Sequence, residues 1–136
     1  MASLAQKRLF LLDMDGTIYL GESLFPFTKG FLRRVEETGR DFCFFTNNSS
    51  KNREAYLEKL ARMGISLPPE KMLISNGVIL QWLGQHHPGA RCYVVGTPAL
   101  REDFRKAGFA PDAEDGDVVI LGFDTCLLYT SPSPRD

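Results

Sequence analysis

The chain has no long hydrophobic run, few cysteines and almost no net charge. No apolar stretch in its 136 residues approaches the roughly 18 that a membrane span needs, and the opening MASLAQKR lacks a signal-peptide core. Three cysteines without paired spacing argue against a disulfide framework or a zinc site. Cys43 and Cys92 each sit in an apolar run and read as small buried residues of a reducing compartment. A formal charge of -1 offers neither a basic field for nucleic acid nor an acidic tail. The two histidines, His86 and His87, are adjacent and precede Pro88, where they cannot easily face one ion, so they read as a solvated linker. What remains is the composition of a soluble globular protein, 43% hydrophobic and 24% charged, in a length of about one domain. The expected setting is cytoplasmic, without nucleic-acid or membrane partners.

Within that composition the pattern alternates. Lys7 to Leu12 reads as a short buried strand. Thr28 to Thr38 reads as a helix, with Phe27, Phe31, Leu32 and Val35 at helical spacing and Gly39 as its cap. Asp41 to Thr46 is an aromatic-rich strand, and Lys51 to Met63 a helix with Tyr56, Leu57, Leu60 and Met63 on one face. A strand over Met72 to Ser75, a helix over Gly77 to Gly84, a strand over Arg91 to Val95, a helix over Pro98 to Ala107 and a strand over Asp117 to Gly122 follow. Phe42, Phe44, Phe45 and Trp82 read as core. The segment Gln85 to Gly89 has the composition of a linker. Strands alternating with amphipathic helices predict an α/β fold with a mostly parallel sheet. Ligands of such folds bind beyond the C-terminal strand ends. Asp13, Asp15 and the stretch Thr46-Asn47-Asn48-Ser49-Ser50 are thereby expected at one edge.

The sequence LLDMDGTIY ends its strand in two carboxylates one residue apart, which at i and i+2 point the same way. Two carboxylates held close repel unless a cation or proton sits between them. Magnesium suits them, taking hard oxygen ligands and leaving room for water and phosphate. One aspartate can then attack phosphorus while the second trades a proton with the leaving group and the attacking water. Gly16 lets the backbone approach an anion closely. Thr46 and Asn47 offer a hydroxyl and an amide without bulk, suited to phosphoryl oxygens, and the helix after them favours an anion at its N-terminus.

DMDGTIY followed by FFTNNSS resembles the haloacid dehalogenase superfamily of aspartate-based phosphatases, and more closely its 4-nitrophenylphosphatase, phosphoglycolate and pyridoxal-phosphate phosphatase branch. Gly21, the connector from Ser66 to Ser75, YVVGTPALREDFRKAGF and DVVILGFDT share the resemblance, which covers roughly residues 7 to 125. It implies a magnesium-dependent phosphatase acting on small phosphorylated metabolites, with a Rossmann-like core whose parallel sheet is incomplete here. It implies Asp13 as the nucleophile that becomes an aspartyl-phosphate and Asp15 as the general acid and base. The Asp13 carboxylate and the Asp15 backbone carbonyl would hold the metal, and Thr46 and Asn47 would bind the phosphoryl group. The family's lysine and late acidic pair would lie beyond a large α/β cap domain. The corresponding division is residues 1–87 as the N-terminal part of the core, 88–125 as the start of the cap and 126–136 as a non-native tail.

That tail, CLLYTSPSPRD, is what a transposase-type sequencing adapter encodes when translated in frame, so the natural sequence is expected to end near Thr125. A fragment of this kind is expected to be inactive and poorly soluble. Three other readings stand beside the phosphatase. They are a non-catalytic phosphate- or metal-binding fragment, a receiver-like phosphoacceptor, and a phosphotransferase on the same scaffold. The assembly state, including a homo-oligomer, stays open.

Overall fold

The computed structural model describes residues 3–123, so the segment read as adapter-derived lies outside the described residues. The elements run β1 (Leu9–Asp13), β2 (Tyr19–Leu20), β3 (Ser23–Leu24), α1 (Thr28–Glu37), β4 (Asp41–Thr46), α2 (Arg53–Arg62), β5 (Met72–Ile74), α3 (Ser75–His86), β6 (Cys92–Val95), α4 (Pro98–Lys106) and β7 (Val118–Leu121). The described residues divide into two compact units, 3–46 with 53–73 and 47–52 with 74–123. No described helix is long and apolar enough to cross a membrane.

In the first unit the strands run in the order β1-β4-β5, and β1 pairs parallel with β4 from Leu9↔Asp41 to Asp13↔Phe45. Two-residue periodicity then sorts the side chains. Phe42, Phe44 and Thr46 are buried on one face of β4, while Phe45 on the other is 41% exposed, against the expectation that all three phenylalanines are core. Strand β1 was expected to be buried, yet Leu9 and Leu11 are more than half exposed. The reason is its place at the edge, with β4 as its partner and half-burial confined to Phe10 and Leu12. Beyond β1 the chain turns through Met14 and Ile18, both buried, into the hairpin β2–β3, which sequence reading did not resolve. Helix α1 is anchored to that turn, because the Thr28 hydroxyl donates to the Ile18 carbonyl at 2.6 Å. Leu32 and Val35 face inward, whereas Phe31 stays half-exposed and meets Phe10 edge to face at 5.9 Å.

In the second unit β6 and β7 pair parallel, from Cys92↔Val118 to Val95↔Leu121. Leu83, Cys92, Val94, Leu100, Phe104 and Phe109 form the core beneath them. Helix α3 differs from expectation at both ends. It begins at Ser75, directly after β5, and runs through Gln85 and His86, which composition had assigned to a linker. Its last turn is held by side chains, since His86 stacks on Trp82 at 4.7 Å and its Nδ1 lies 2.9 Å from the Trp82 carbonyl. Trp82 accordingly lies on the surface at 45% exposure, not in the core. Helix α4 has Thr97 as its N-cap, whose side chain accepts from the Leu100 N–H, with proline in the first turn.

Candidate active site

Asp13 is the last residue of β1, and Asp15 follows after one buried methionine. Both aspartates are exposed. The backbone between them and Tyr19 closes on itself. Thr17 and Ile18 donate to the Met14 carbonyl at 3.1 and 3.0 Å, Gly16 donates to the Tyr19 carbonyl at 2.8 Å, and Asp15 forms a bridge with Tyr19. This turn needs Gly16 at φ +78°, the left-handed region that costs other residues about 1–2 kcal/mol. A Cβ there would meet nothing within 4 Å, so the strain alone sets the requirement, and the space beside it is open. Because Asp13 is paired with Phe45, Thr46 ends the neighbouring parallel strand one residue further on. The first unit therefore brings Asp13, Asp15, Gly16 and Thr46 to one end of the β1–β4 pair.

Three residues that sequence reading left in the core or passed over surround this end. Tyr56 of α2 is buried, and its hydroxyl pairs with that of Thr46. Burial pushes the Tyr56 phenol up; the Thr46 hydrogen bond opposes this, while Asp15 and Asp13 add to it. Tyr19 is completely buried and its hydroxyl has no hydrogen-bond partner. Its proton is held far above the ordinary phenol range, first by burial and next by the charge of Asp15, with Tyr56 and Asp13 contributing. Asp15 also contributes as a hydrogen-bonding neighbour of the raised phenol, although no acceptor meets full hydrogen-bond geometry at that hydroxyl. Lys59, one turn beyond Tyr56, is 7% exposed and its ammonium sits 4.1 Å above the Tyr19 ring, with Glu22 at 3.9 Å. A signal was available for Lys59, which lies three residues from Tyr56 and one from Leu60 on an otherwise apolar face, but a lysine there reads as solvated.

Asn47 belongs to the second unit, in the loop 47–52. Three side chains hold that loop by its carbonyls. Ser75 donates to Asn47 at 3.2 Å, Thr97 to Ser50 at 3.1 Å and the Asn76 amide to Lys51 at 3.4 Å. Within the loop, Ser50 N–H donates to the Asn48 side chain at 2.9 Å, an Asx-type turn. The Ser49 hydroxyl accepts from the Phe123 N–H at 2.6 Å. Asn47, Ser49, Ser75 and Asn76 share a cavity of about 400 Å³ with the apolar side chains of Ile79 and Leu100. None of Ser75, Asn76 or Thr97 was legible as a loop anchor, since each acts across 25 or more residues of chain.

The donor set at the β1 end is two carboxylates and nearby backbone carbonyls, all hard oxygens. Burial is the main reason that both phenols next to it are raised, and the charges of the two carboxylates add to it. In kind the donor set fits magnesium, which takes one or two carboxylates and fills its remaining positions with water and phosphate. Among the described residues no group of three or more His, Cys, Asp or Glu side chains is placed to hold a metal.

In this α/β chain the first parallel strand ends in Asp13 with Asp15 just beyond it, and Thr46 ends the next. Residues 10–110 match the family described as haloacid dehalogenase-like hydrolases, and the chain belongs to that family. The acid sugar phosphatase of Staphylococcus aureus is 31% identical over 125 residues, covering 91% of this chain and 48% of that protein. The 4-nitrophenylphosphatase of Thermotoga maritima superposes with a TM-score of 0.85 at 37% identity, over 97% of this chain and 49% of the other. NagD of E. coli K-12 does so with a TM-score of 0.75 at 25% identity, over 88% and 47%. The chain spans about half the length of the relatives it matches.

Proposed function

We propose that the whole protein hydrolyses small phosphate monoesters with magnesium, through an aspartyl-phosphate on Asp13. The observation that carries this reading is the meeting of Asp13, Asp15 and Thr46 at one end of the β1–β4 pair. A carboxylate oxygen of Asp13 attacks phosphorus as the bond to the leaving oxygen breaks, and Asp15 gives that oxygen a proton. Water then attacks the phosphoryl group, Asp15 takes its proton, and the bond between Asp13 and phosphorus breaks, returning the free enzyme and inorganic phosphate. Thr46 and Asn47 bind phosphoryl oxygens, and Gly16, whose own N–H is engaged by the Tyr19 carbonyl, leaves open space beside it for the phosphate. The Asp13 carboxylate and the Asp15 backbone carbonyl would hold magnesium, which when bound neutralises charge between the anionic nucleophile and the phosphate. Likeness to an acid sugar phosphatase makes phosphorylated sugars the first substrates to test.

The same reading takes residues 1–87 as core and 88–125 as the start of a cap, in a cytoplasmic protein. It gives the 136-residue chain by itself near-background turnover, because the resemblance calls for a lysine and a late acidic pair in addition to these strand-end motifs. The test is phosphate release from 4-nitrophenyl phosphate with magnesium by the whole protein, together with intact-mass detection of a phosphoryl adduct. Asp13→Asn is expected to abolish both turnover and adduct. Turnover that survives Asp13→Asn would overturn the mechanism, and robust turnover by the 136-residue chain would overturn the assignment of its inactivity.

A further inference from the structure

A buried hydroxyl without a partner is unusual, because folding has stripped it of water and returned nothing. Tyr19 carries such a hydroxyl, in a side chain that is 0% exposed. Its backbone is locked to the catalytic turn by the Asp15 bridge and by the Gly16 N–H at 2.8 Å. Its ring is held by the Lys59 ammonium at 4.1 Å, and Lys59 is itself fixed by burial and by Glu22. The hydroxyl is thus a rigid donor. Asp15 is exposed, and its carboxylate already acts on the Tyr19 proton by charge and by hydrogen bonding.

We propose that Tyr19 is a positioning residue for Asp15: its hydroxyl receives one oxygen of the Asp15 carboxyl group and aims the other at the leaving-group oxygen. The inference rests on the reading of Asp15 as the proton donor. Tyr19 exchanges no proton with substrate. It supplies a hydrogen bond that reaches full geometry only in the productive Asp15 rotamer, where the cost of the poorly satisfied buried hydroxyl is relieved. Tyr56 plays no part in this step, its hydroxyl being engaged with Thr46.

Leaving-group dependence separates this role from a structural one. An alkyl phosphate such as glycerol phosphate or a sugar phosphate needs its leaving oxygen protonated, whereas 4-nitrophenolate departs without help. The ratio kcat/KM reports only the steps through formation of the aspartyl-phosphate, so the later hydrolysis does not mask the effect. In the whole protein, Tyr19→Phe is expected to lower kcat/KM for the alkyl phosphate about tenfold or more, a part of the 10²–10⁴ that a general acid supplies, and to leave 4-nitrophenyl phosphate within about twofold. The ring and its Lys59 contact survive this change, so the thermal midpoint is expected to hold or rise. The loss should also vanish in an Asp15→Asn background. Equal losses on both substrates, no loss on either, a lowered midpoint, or a loss that persists with Asp15→Asn each overturn the role of Tyr19 alone. A wild-type protein without Asp13-dependent turnover overturns the reading of Asp15 and the role of Tyr19 with it.

Discussion

Asp41 opens β4 and shows how a single exposed residue is tied down. Its carboxylate lies 2.8 Å from the Lys71 ammonium and accepts from the Phe42 N–H at 2.8 Å. Lys71 in turn sits 4.5 Å over the Phe42 ring and 3.2 Å from Glu36. The hydrogen bond from Lys71, then that from Phe42, holds the Asp41 carboxyl below its ordinary range, and the same pairing raises Lys71. A carboxyl whose pKa falls on folding stabilises the fold above the unfolded carboxylate range, and that contribution is lost as pH drops through the folded value. A lysine raised on folding stabilises below the unfolded lysine range and loses this as pH rises through its folded value. The stability gap between wild type and Asp41→Asn, read from urea midpoints, is therefore expected to be open at neutral pH and to close on acidification. A gap that stays constant to low pH would contradict the pairing. The pair itself could not be read from sequence, because 30 residues separate two ordinary charges.

At the scale of elements, period and punctuation were legible. Proline after Thr97 gave the start of α4, and the aromatic run gave β4, because capping and alternation are local properties. The hairpin β2–β3 and the true span of α3 were not. Two-residue strands carry no periodicity, and α3 extends through His86 with that ring stacked on Trp82, a contact that linker-like composition does not reveal. Thr97 does two jobs at once, accepting from Leu100 N–H at 3.3 Å and donating to the Ser50 carbonyl at 3.1 Å. Thr97→Ala is expected to cost about 1–2 kcal/mol in denaturant unfolding, whereas Thr97→Ser, which keeps the hydroxyl, should stay within a few tenths. Equal costs for the two would show that the methyl group, and not the cap, matters.

At the scale of the molecule, apolar side chains remain on strands at sheet edges among the described residues. Leu9 and Leu11 of β1 are 56% and 59% exposed, and Val119 and Leu121 of β7 are 67% and 77% exposed. Edge strands with apolar faces pair with other chains. The 136-residue chain is expected to bind a hydrophobic dye and to sediment as a concentration-dependent mixture, with Leu9→Lys and Leu121→Lys together reducing both. A monodisperse monomer without dye binding would refute this. The sequence by itself determined the α/β alternation and the candidate carboxylate pair, because strand period, turn chemistry and the i, i+2 spacing of Asp13 and Asp15 are local. Strand order put Thr46 at the same edge as Asp13, and only the tertiary structure decided the register, Asp13↔Phe45, that sets them side by side. It alone also decided that Tyr19 and Lys59 are buried together beside the aspartates, with a phenol left unpaired. Burial and pairing across 40 residues are properties of the packed chain, and no window of sequence contains them.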